Sequence, residues 1–322
     1  MAKFNNLRTF DYPDVRLLPK ECIVNSRSEV DVTTKFGNHS FNLPVVPANM
    51  STIVNDDLAI ELGKRGYFYV MHRFDNSPTE LIRKAKDNNV YSSISIGIKP
   101  VDYSNILEIF TNGLAPDYVT VDIAHGHAKS VFSMIKFLKE HFPETYIIAG
   151  NVGTVEGAIA LETAGANAVK VGIGPGKVCT TAPNTGFGTR DWQLSALEQI
   201  ANSVNNAEII ADGGIRTTGD IAKSVAFGAD MVMIGGMFAG HDENPGDFVI
   251  GDDGKPYKIF YGSASEHQKG EKKHVEGKST LIEYKGSIWD TLNNIKENLQ
   301  SSVSYAGGKN LNDLYNVEYV LI

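Results

Sequence analysis

Short apolar runs recur along the 322-residue chain and alternate with more polar stretches. The runs are rich in Val, Ile and Tyr, which β-strands favour. Most are nearly continuous rather than alternating, which is typical of strands buried on both faces of a parallel sheet. We predict eight strands, at residues 44–50, 67–71, 91–98, 118–123, 146–149, 168–171, 208–211 and 231–234.

The stretches between these runs have helical patterns. In residues 130–139, for example, Val131, Ile135 and Leu138 fall on one helical face. We predict helices at residues 56–63, 130–139, 154–164, 220–227 and 289–299. Strands alternating with helices predict an α/β fold, a single (β/α)8 TIM barrel over residues 1–322. A doubly wound sheet is the alternative, but it usually has fewer strands.

Residues 240–285 do not fit a barrel repeat, because they are polar and rich in Gly, Lys and Glu. We interpret this region as a flap near the catalytic face, with residues 269–278 as its mobile part. A plain solvated loop is the alternative.

Composition narrows the range of partners. The formal net charge of −8 argues against nucleic acid, which usually needs a basic face, but allows a local basic pocket for a phosphate. No apolar run approaches the roughly 20 residues of a membrane span, and residues 1–6 lack the apolar segment of a signal peptide. The only two cysteines, Cys22 and Cys179, indicate no disulfide framework. We therefore expect a cytoplasmic protein without membrane contact.

Candidate chemistry concentrates in residues 172–181, GIGPGKVCTT, which follow the apolar run 168–171. Three glycines and a proline predict a loop that exposes backbone N–H groups. Nearby dipoles favour the thiolate, so Cys179 is a candidate nucleophile. A buried, inert cysteine is the alternative, and it is the more usual case in an apolar strand than on such a loop.

Two glycine pairs follow the last two predicted strands. Gly213-Gly214 and Gly235-Gly236 could present backbone N–H groups to a phosphate, which barrel enzymes often bind at this position. Asp212 would repel a phosphate, so we expect it to bond a sugar hydroxyl; helix capping is its alternative role.

Taken together, four motifs resemble the IMP dehydrogenase/GMP reductase family. They are GIGPGKVCTT at 172–181, ADGGIR at 211–216, MIGGM at 233–237 and FYGSASE at 260–266, and the resemblance extends from Ser26 to Gly308. The family fold is a (β/α)8 barrel. Dehydrogenases of the family carry CBS modules after the second strand, and here residues 71–91 leave no room for that insertion.

The flap distinguishes the branches of the family. Dehydrogenases use an Arg-Tyr pair there to activate water, and residues 262–286 contain none. Glu276 instead matches the glutamate of the reductases, and NTGFG at 184–188 matches their shorter bacterial form. The resemblance thus implies NADPH-dependent reductive deamination of GMP to IMP and ammonia, through a thioimidate on Cys179, in purine salvage. Thr181 and Glu276 would complete the catalytic set.

The resemblance also implies the binding residues and the assembly state. GMP or IMP would contact Asp212, Gly213, Gly214, Gly235, Gly236, Gly262, Ser263, Ala264 and Gly277. NADPH would contact Ser26, Arg27, Arg73, Asp122, Ile123, Ala124, Ile173, Gly174, Tyr305, Ala306, Gly307 and Gly308. A monovalent cation, usually K⁺, would be held by carbonyls of Gly174, Gly176 and Cys179, and the assembly would be a homotetramer.

Two other functions are compatible with the sequence. A short IMP dehydrogenase without CBS modules would make XMP from IMP with NAD. A non-enzymatic nucleotide-binding protein is also conceivable on this fold, since fold does not imply function. The intact Cys179-Thr180-Thr181 argues against the latter.

Overall fold

The computed structural model describes residues 3, 5, 7–74, 76–269 and 275–322. Its centre is a seven-stranded parallel sheet. In spatial order the strands are Val45–Pro47, Met231–Ile234, Glu208–Asp212, Ala168–Val171, Tyr146–Val152, Tyr118–Asp122 and Ser93–Ile96. Their side chains are buried almost throughout, as near-continuous apolar runs predict. The barrel fold predicted from the sequence is confirmed.

The prediction of a strand at residues 67–71 is wrong in detail. Phe68, Val70 and Met71 are buried, but the segment is irregular. Met71 N donates to Ser93 O at 3.2 Å, as it would between paired β-strands. The hydroxyl of Tyr91, however, donates to Tyr67 O at 2.7 Å and accepts from Tyr69 N at 2.9 Å. A side chain therefore occupies the positions where a neighbouring strand would pair.

Helices surround the sheet, and side-chain caps fix where several of them begin. Thr154 accepts from Gly157 N, and Gly165 ends the same helix in the left-handed region at φ +110°. The main helices are Asp56–Lys64, Pro78–Asp87, Pro100–Thr111, Lys129–His141, Val155–Ala164, Gln193–Ala201, Thr218–Ala226 and Ile288–Tyr305; short ones are Thr181–Thr185 and Glu266–Lys269. Each of the five predicted helices is present. The one predicted at 289–299 continues to Tyr305, because Leu299 and Val303 extend its buried face.

The predicted flap region contains a three-stranded antiparallel sheet of Phe248–Ile250, Pro256–Tyr261 and Ser279–Glu283. Residues 270–274, part of the predicted mobile stretch, lie outside the described residues. The chain ends meet where Val15–Leu17 pairs antiparallel with Tyr319–Leu321. Within the described ranges, no helix is both long and apolar enough to cross a membrane.

Candidate active site

A cavity of about 1840 Å³ opens where the parallel strands end, and residues that directly follow those strands line it. This is the catalytic face of barrel enzymes. The predicted site residues that line it are Arg73, Asp122, Ile123, Ala124, Ile173, Gly174, Gly176, Cys179, Thr181, Asp212, Gly213, Gly214, Gly235, Gly236, Gly262, Ser263, Ala264 and Glu276. Most of the predicted set is thus brought together around one space.

Cys179 lies at the end of a loop that begins at Gly172. Gly172 has φ +145°, and a Cβ there would lie 2.0 Å from Asp212 O, so a larger residue would not fit. The loop closes on itself through Cys179 N, which donates to Gly176 O at 3.2 Å. The half-buried Cys179 side chain therefore faces the cavity from a fixed backbone.

The flap segment 275–278 packs directly against this loop. Thr180 N donates to Glu276 O at 2.9 Å, and Lys278 N donates to Val178 O at 2.8 Å. On its other side, Glu276 N donates to Ala264 O at 3.0 Å. Gly277 does not line the cavity, but its backbone forms isolated β-bridges with both Cys179 and Ser265. Residues almost 100 positions apart are held together by backbone hydrogen bonds.

This packing aligns three side chains. Thr181 Oγ1 donates to Glu276 Oε2 at 2.6 Å, and Cys179 Sγ lies 3.1 Å from the same Thr181 oxygen. Because the Thr181 hydrogen points to the carboxylate, its oxygen is left to accept from the thiol. The row can move a proton from Cys179 to Glu276 and return it to a group bound beside the sulfur.

A buried lysine connects two other predicted residues. Lys170, only 2% exposed, contacts Asp212 Oδ2 at 2.9 Å and Asp122 Oδ1 at 3.1 Å. Burial alone would lower the pKa of Lys170, but the carboxylates of Asp212 and Asp122 raise it above its usual value. Burial opposes ionisation of Asp122 as well, yet Lys170 and Arg73 bring its pKa below its usual value. Both shifts favour the charged forms of Lys170 and Asp122.

Sequence reasoning missed Lys170 and its neighbour Asn151, which donates to Asp212 Oδ2 at 2.7 Å. A signal was available for Lys170, since a lysine in a continuous apolar strand needs a buried partner. Both contacts fix the Asp212 carboxylate at the cavity wall.

The two glycine pairs lie where a phosphate was expected. Gly213 and Gly214 have φ of +87° and +82°, and a Cβ at Gly236 would meet open space. Lys285, a cation that sequence reasoning missed, donates to Gly236 O at 2.6 Å. Burial of its ammonium and the nearby Lys177 lower the pKa of Lys285 to about 8. The glycine pairs and Lys285 form a cradle suited to an anion.

The residues predicted to bind NADPH fall into two groups. Arg73, Asp122, Ile123, Ala124, Ile173 and Gly174 line the cavity. Within the described part of the chain, the buried Nε of Arg73 has no hydrogen-bond partner, so it can still bind a ligand.

The second group does not line the cavity; it consists of Ser26, Arg27, Tyr305, Ala306, Gly307 and Gly308. Arg27 donates to Ser301 Oγ at 3.1 Å and to the Tyr305 hydroxyl at 3.3 Å. Its guanidinium also lies over the Tyr305 ring, 5.3 Å from the centroid. We call these six residues the tail cluster.

Two of the three carbonyls predicted to hold K⁺, those of Gly176 and Cys179, are already engaged. Nη2 of Arg190 donates to Gly176 O at 3.2 Å and to Cys179 O at 3.0 Å. Gly176 O also accepts from Cys179 N. A carbonyl oxygen has two lone pairs, so Gly176 O has none left for an ion. With the Arg190 guanidinium on two of the three predicted carbonyls, the loop does not fit a separate cation. Sequence reasoning did not single out Arg190.

Comparisons with known proteins find similarity to one family. The model of the IMP dehydrogenase / GMP reductase domain matches residues 9–322. The chain is 56% identical to a GMP reductase of Bacillus licheniformis and to one of Bacillus subtilis, in each case over 314 residues, 97% of this chain and 96% of the relative. It is also 56% identical to a GMP reductase of Helicobacter pylori over 317 residues, 98% of this chain and 97% of the relative.

Proposed function

Because the chain belongs to the IMP dehydrogenase/GMP reductase family, we propose that it is an NADPH-dependent GMP reductase, which converts GMP to IMP and ammonia. The hydrogen-bonded row of Cys179, Thr181 and Glu276 in the cavity carries this proposal. A dehydrogenase would need a water-activating Arg-Tyr pair, and residues 262–286 contain no arginine. The family and the site together favour reduction over the IMP dehydrogenase alternative.

GMP would lie across the cavity, with its reacting carbon at Cys179. The phosphate would contact Gly213, Gly214, Gly235 and Gly236, where backbone N–H groups and Lys285 favour an anion. Asp212, oriented by Lys170 and Asn151, would accept from the ribose hydroxyls. Gly262, Ser263, Ala264 and Gly277 would border the base beside the flap, since Gly277 bridges Cys179.

In the first step Cys179 Sγ attacks C2 of GMP, the C2–N bond breaks and ammonia leaves. The thiol proton passes to Thr181 Oγ1 while the Thr181 proton passes to Glu276. Reversal of this relay delivers the proton to the departing amine, so that ammonia rather than an amide ion leaves. The purine remains attached to Cys179 as a thioimidate.

In the second step a hydride reaches C2 and the C2–S bond breaks, which releases IMP and restores the thiolate. NADPH supplies that hydride when bound. Asp122, Ile123, Ala124, Ile173 and Gly174 would hold its reactive end in the cavity, and Arg73 would pair with one of its phosphates.

The tail cluster does not line this cavity, although its residues match family positions for the same cofactor. We propose that it serves a cofactor bound to a neighbouring copy in a homotetramer. The location would be cytoplasmic, because Cys22 and Cys179 are both free thiols.

The proposal is tested by incubating the purified chain with GMP and NADPH. We expect NADPH absorbance to fall and one ammonia and one IMP to form per NADPH consumed. XMP formation from IMP and NAD would support a dehydrogenase instead. Binding of GMP without turnover of either substrate pair would support a non-enzymatic nucleotide-binding protein.

A further inference from the structure

Arg190 follows the loop 172–179 in the chain, and its side chain contacts the backbone of that loop. One guanidinium nitrogen, Nη2, spans the carbonyls of Gly176 and Cys179, at 3.2 and 3.0 Å. Cys179 is the proposed nucleophile, so one of the two contacts is on the reactive residue itself.

The backbone around Arg190 fixes this position. Thr189 is 1% exposed, and its N–H donates to Ile173 O at 2.8 Å. On the other side Asp191 adopts φ +70°, a left-handed conformation that non-glycine residues seldom take. The turn thus directs Arg190 back at the loop, at some conformational cost.

The positive charge of Arg190 is directed to carbonyl dipoles rather than to an acid. Among the ion pairs of the described residues, none includes Arg190. Backbone carbonyl oxygens can replace the water around a monovalent ion, and two such oxygens here accept from the charged group of Arg190. Arg190 also lines the main cavity, so its charge lies beside the reaction.

We propose that the guanidinium of Arg190 is the cation that organises the loop 172–179. It would take the place of the dissociable monovalent cation implied by the family resemblance. The guanidinium is charged at every working pH and cannot dissociate from the chain. The enzyme therefore does not need K⁺ to organise residues 174–179. This inference rests on the proposed reductase function for its activity readout only.

The test compares KCl, NaCl and choline chloride at equal ionic strength, with the GMP-dependent rate and the melting temperature as two readouts. For the unchanged chain we expect rates within about twofold and equal melting temperatures in all three salts. For Arg190→Ala we expect the rate in choline to fall at least about tenfold, the effect of losing about 1.4 kcal/mol of transition-state stabilisation. KCl should restore the rate and raise the melting temperature of this variant by roughly 2–4 °C, because the vacated carbonyls bind the ion.

Two further variants keep the result interpretable. Arg190→Lys retains a monovalent charge and should respond to KCl less than Arg190→Ala does. Arg83→Ala removes an exposed arginine on the helix Pro78–Asp87 and should behave as the unchanged chain. If Arg190→Ala does not fold in choline, folding on addition of KCl but not of NaCl supports the proposal, and failure to fold in every salt contradicts it.

Saturable activation of the unchanged chain by K⁺ would overturn the proposal. So would an Arg190→Ala variant that is active and indifferent to every salt, because the loop would then need no cation. Absence of turnover in any salt would instead refute the proposed reductase function. The melting temperatures of the unchanged chain and Arg190→Ala would still decide the role of Arg190.

Discussion

At the scale of single residues, the proposed chemistry depends on a proton relay through Cys179, Thr181 and Glu276. Thr181 is 9% exposed, and its hydroxyl is already committed to Glu276 Oε2 at 2.6 Å. A hydroxyl held in this way can pass a proton in either direction without rotating. In the proposed mechanism, the Glu276 carboxylate is therefore the group that accepts the relay proton and returns it to the departing ammonia.

Glu276→Gln should separate the two chemical steps. The amide keeps the size of the side chain but cannot accept the relay proton, so deamination should slow by about 10²-fold or more. Hydride transfer between IMP and NADP should survive, because that half-reaction moves no ammonia. Single-turnover absorbance measured with IMP and NADP, and steady-state ammonia release from GMP, compare the two steps.

The control for this variant is Glu140→Gln, which changes an exposed glutamate on the helix Lys129–His141 and should be silent. Equal losses in both half-reactions of Glu276→Gln would show that Glu276 acts through folding or binding of the flap instead.

Some of these residues could be predicted from the sequence alone, and others could not. Cys179 and the glycine pairs lie in short sequence motifs, and those motifs by themselves predict loops with exposed backbone N–H groups. Arg190 and Lys285 contact carbonyls 11 to 49 residues away in the chain, and no local pattern marks such a contact. Lys170 lies between these cases, because its apolar strand indicates burial but not which carboxylates pair with it.

At the scale of elements, the ends of three strands are joined through one ammonium. Asp122 ends the strand Tyr118–Asp122, Lys170 lies in Ala168–Val171, and Asp212 ends Glu208–Asp212. The ammonium thereby ties a residue predicted to bind the cofactor to one predicted to bind the ribose. Its loss should affect both ligands as well as stability.

Lys170→Met should therefore destabilise the chain and raise the KM for both GMP and NADPH. Removing one partner from a buried ion pair typically costs about 3–5 kcal/mol, because the remaining charge is left unpaired. The free energy of unfolding from urea titration measures the loss. Adding Asp122→Asn should recover part of it, since one unpaired carboxylate is then neutral. Losses that simply add in the double variant would contradict the coupling.

Residues 67–71 were predicted to form a strand, but the structure shows an irregular segment there. Apolar pattern and β-propensity identified a buried, extended stretch, and the stretch is buried. Whether it pairs as a strand depended on the hydroxyl of Tyr91, which lies more than 20 residues away and bonds Tyr69 N and Tyr67 O. Periodicity reports burial, whereas ladder pairing depends on contacts that periodicity does not contain.

At the scale of the whole molecule, the barrel framework and the proposed reacting groups occupy different parts of the structure. The sheet, its helices and the paired chain ends provide the rigid body, and the loops at the strand ends hold the reacting groups. Residues 275–278 of the flap pair by backbone hydrogen bonds with the loop that holds Cys179, so the proposed catalytic residues come from two distant parts of the chain. The tail cluster lies outside the cavity, which is why we propose that it acts on a neighbouring copy.

The central claim is that GMP is reduced at C2 while attached to Cys179, and deuterium transfer tests it most directly. With NADPH deuterated at C4 of the nicotinamide, the unchanged chain and Cys22→Ala should both give IMP that carries deuterium at C2. Cys179→Ala should bind GMP and give no IMP, because no other group here can form the covalent bond. Mass spectrometry and NMR of the IMP locate the label. IMP without deuterium, or labelled IMP made by Cys179→Ala, would contradict the account.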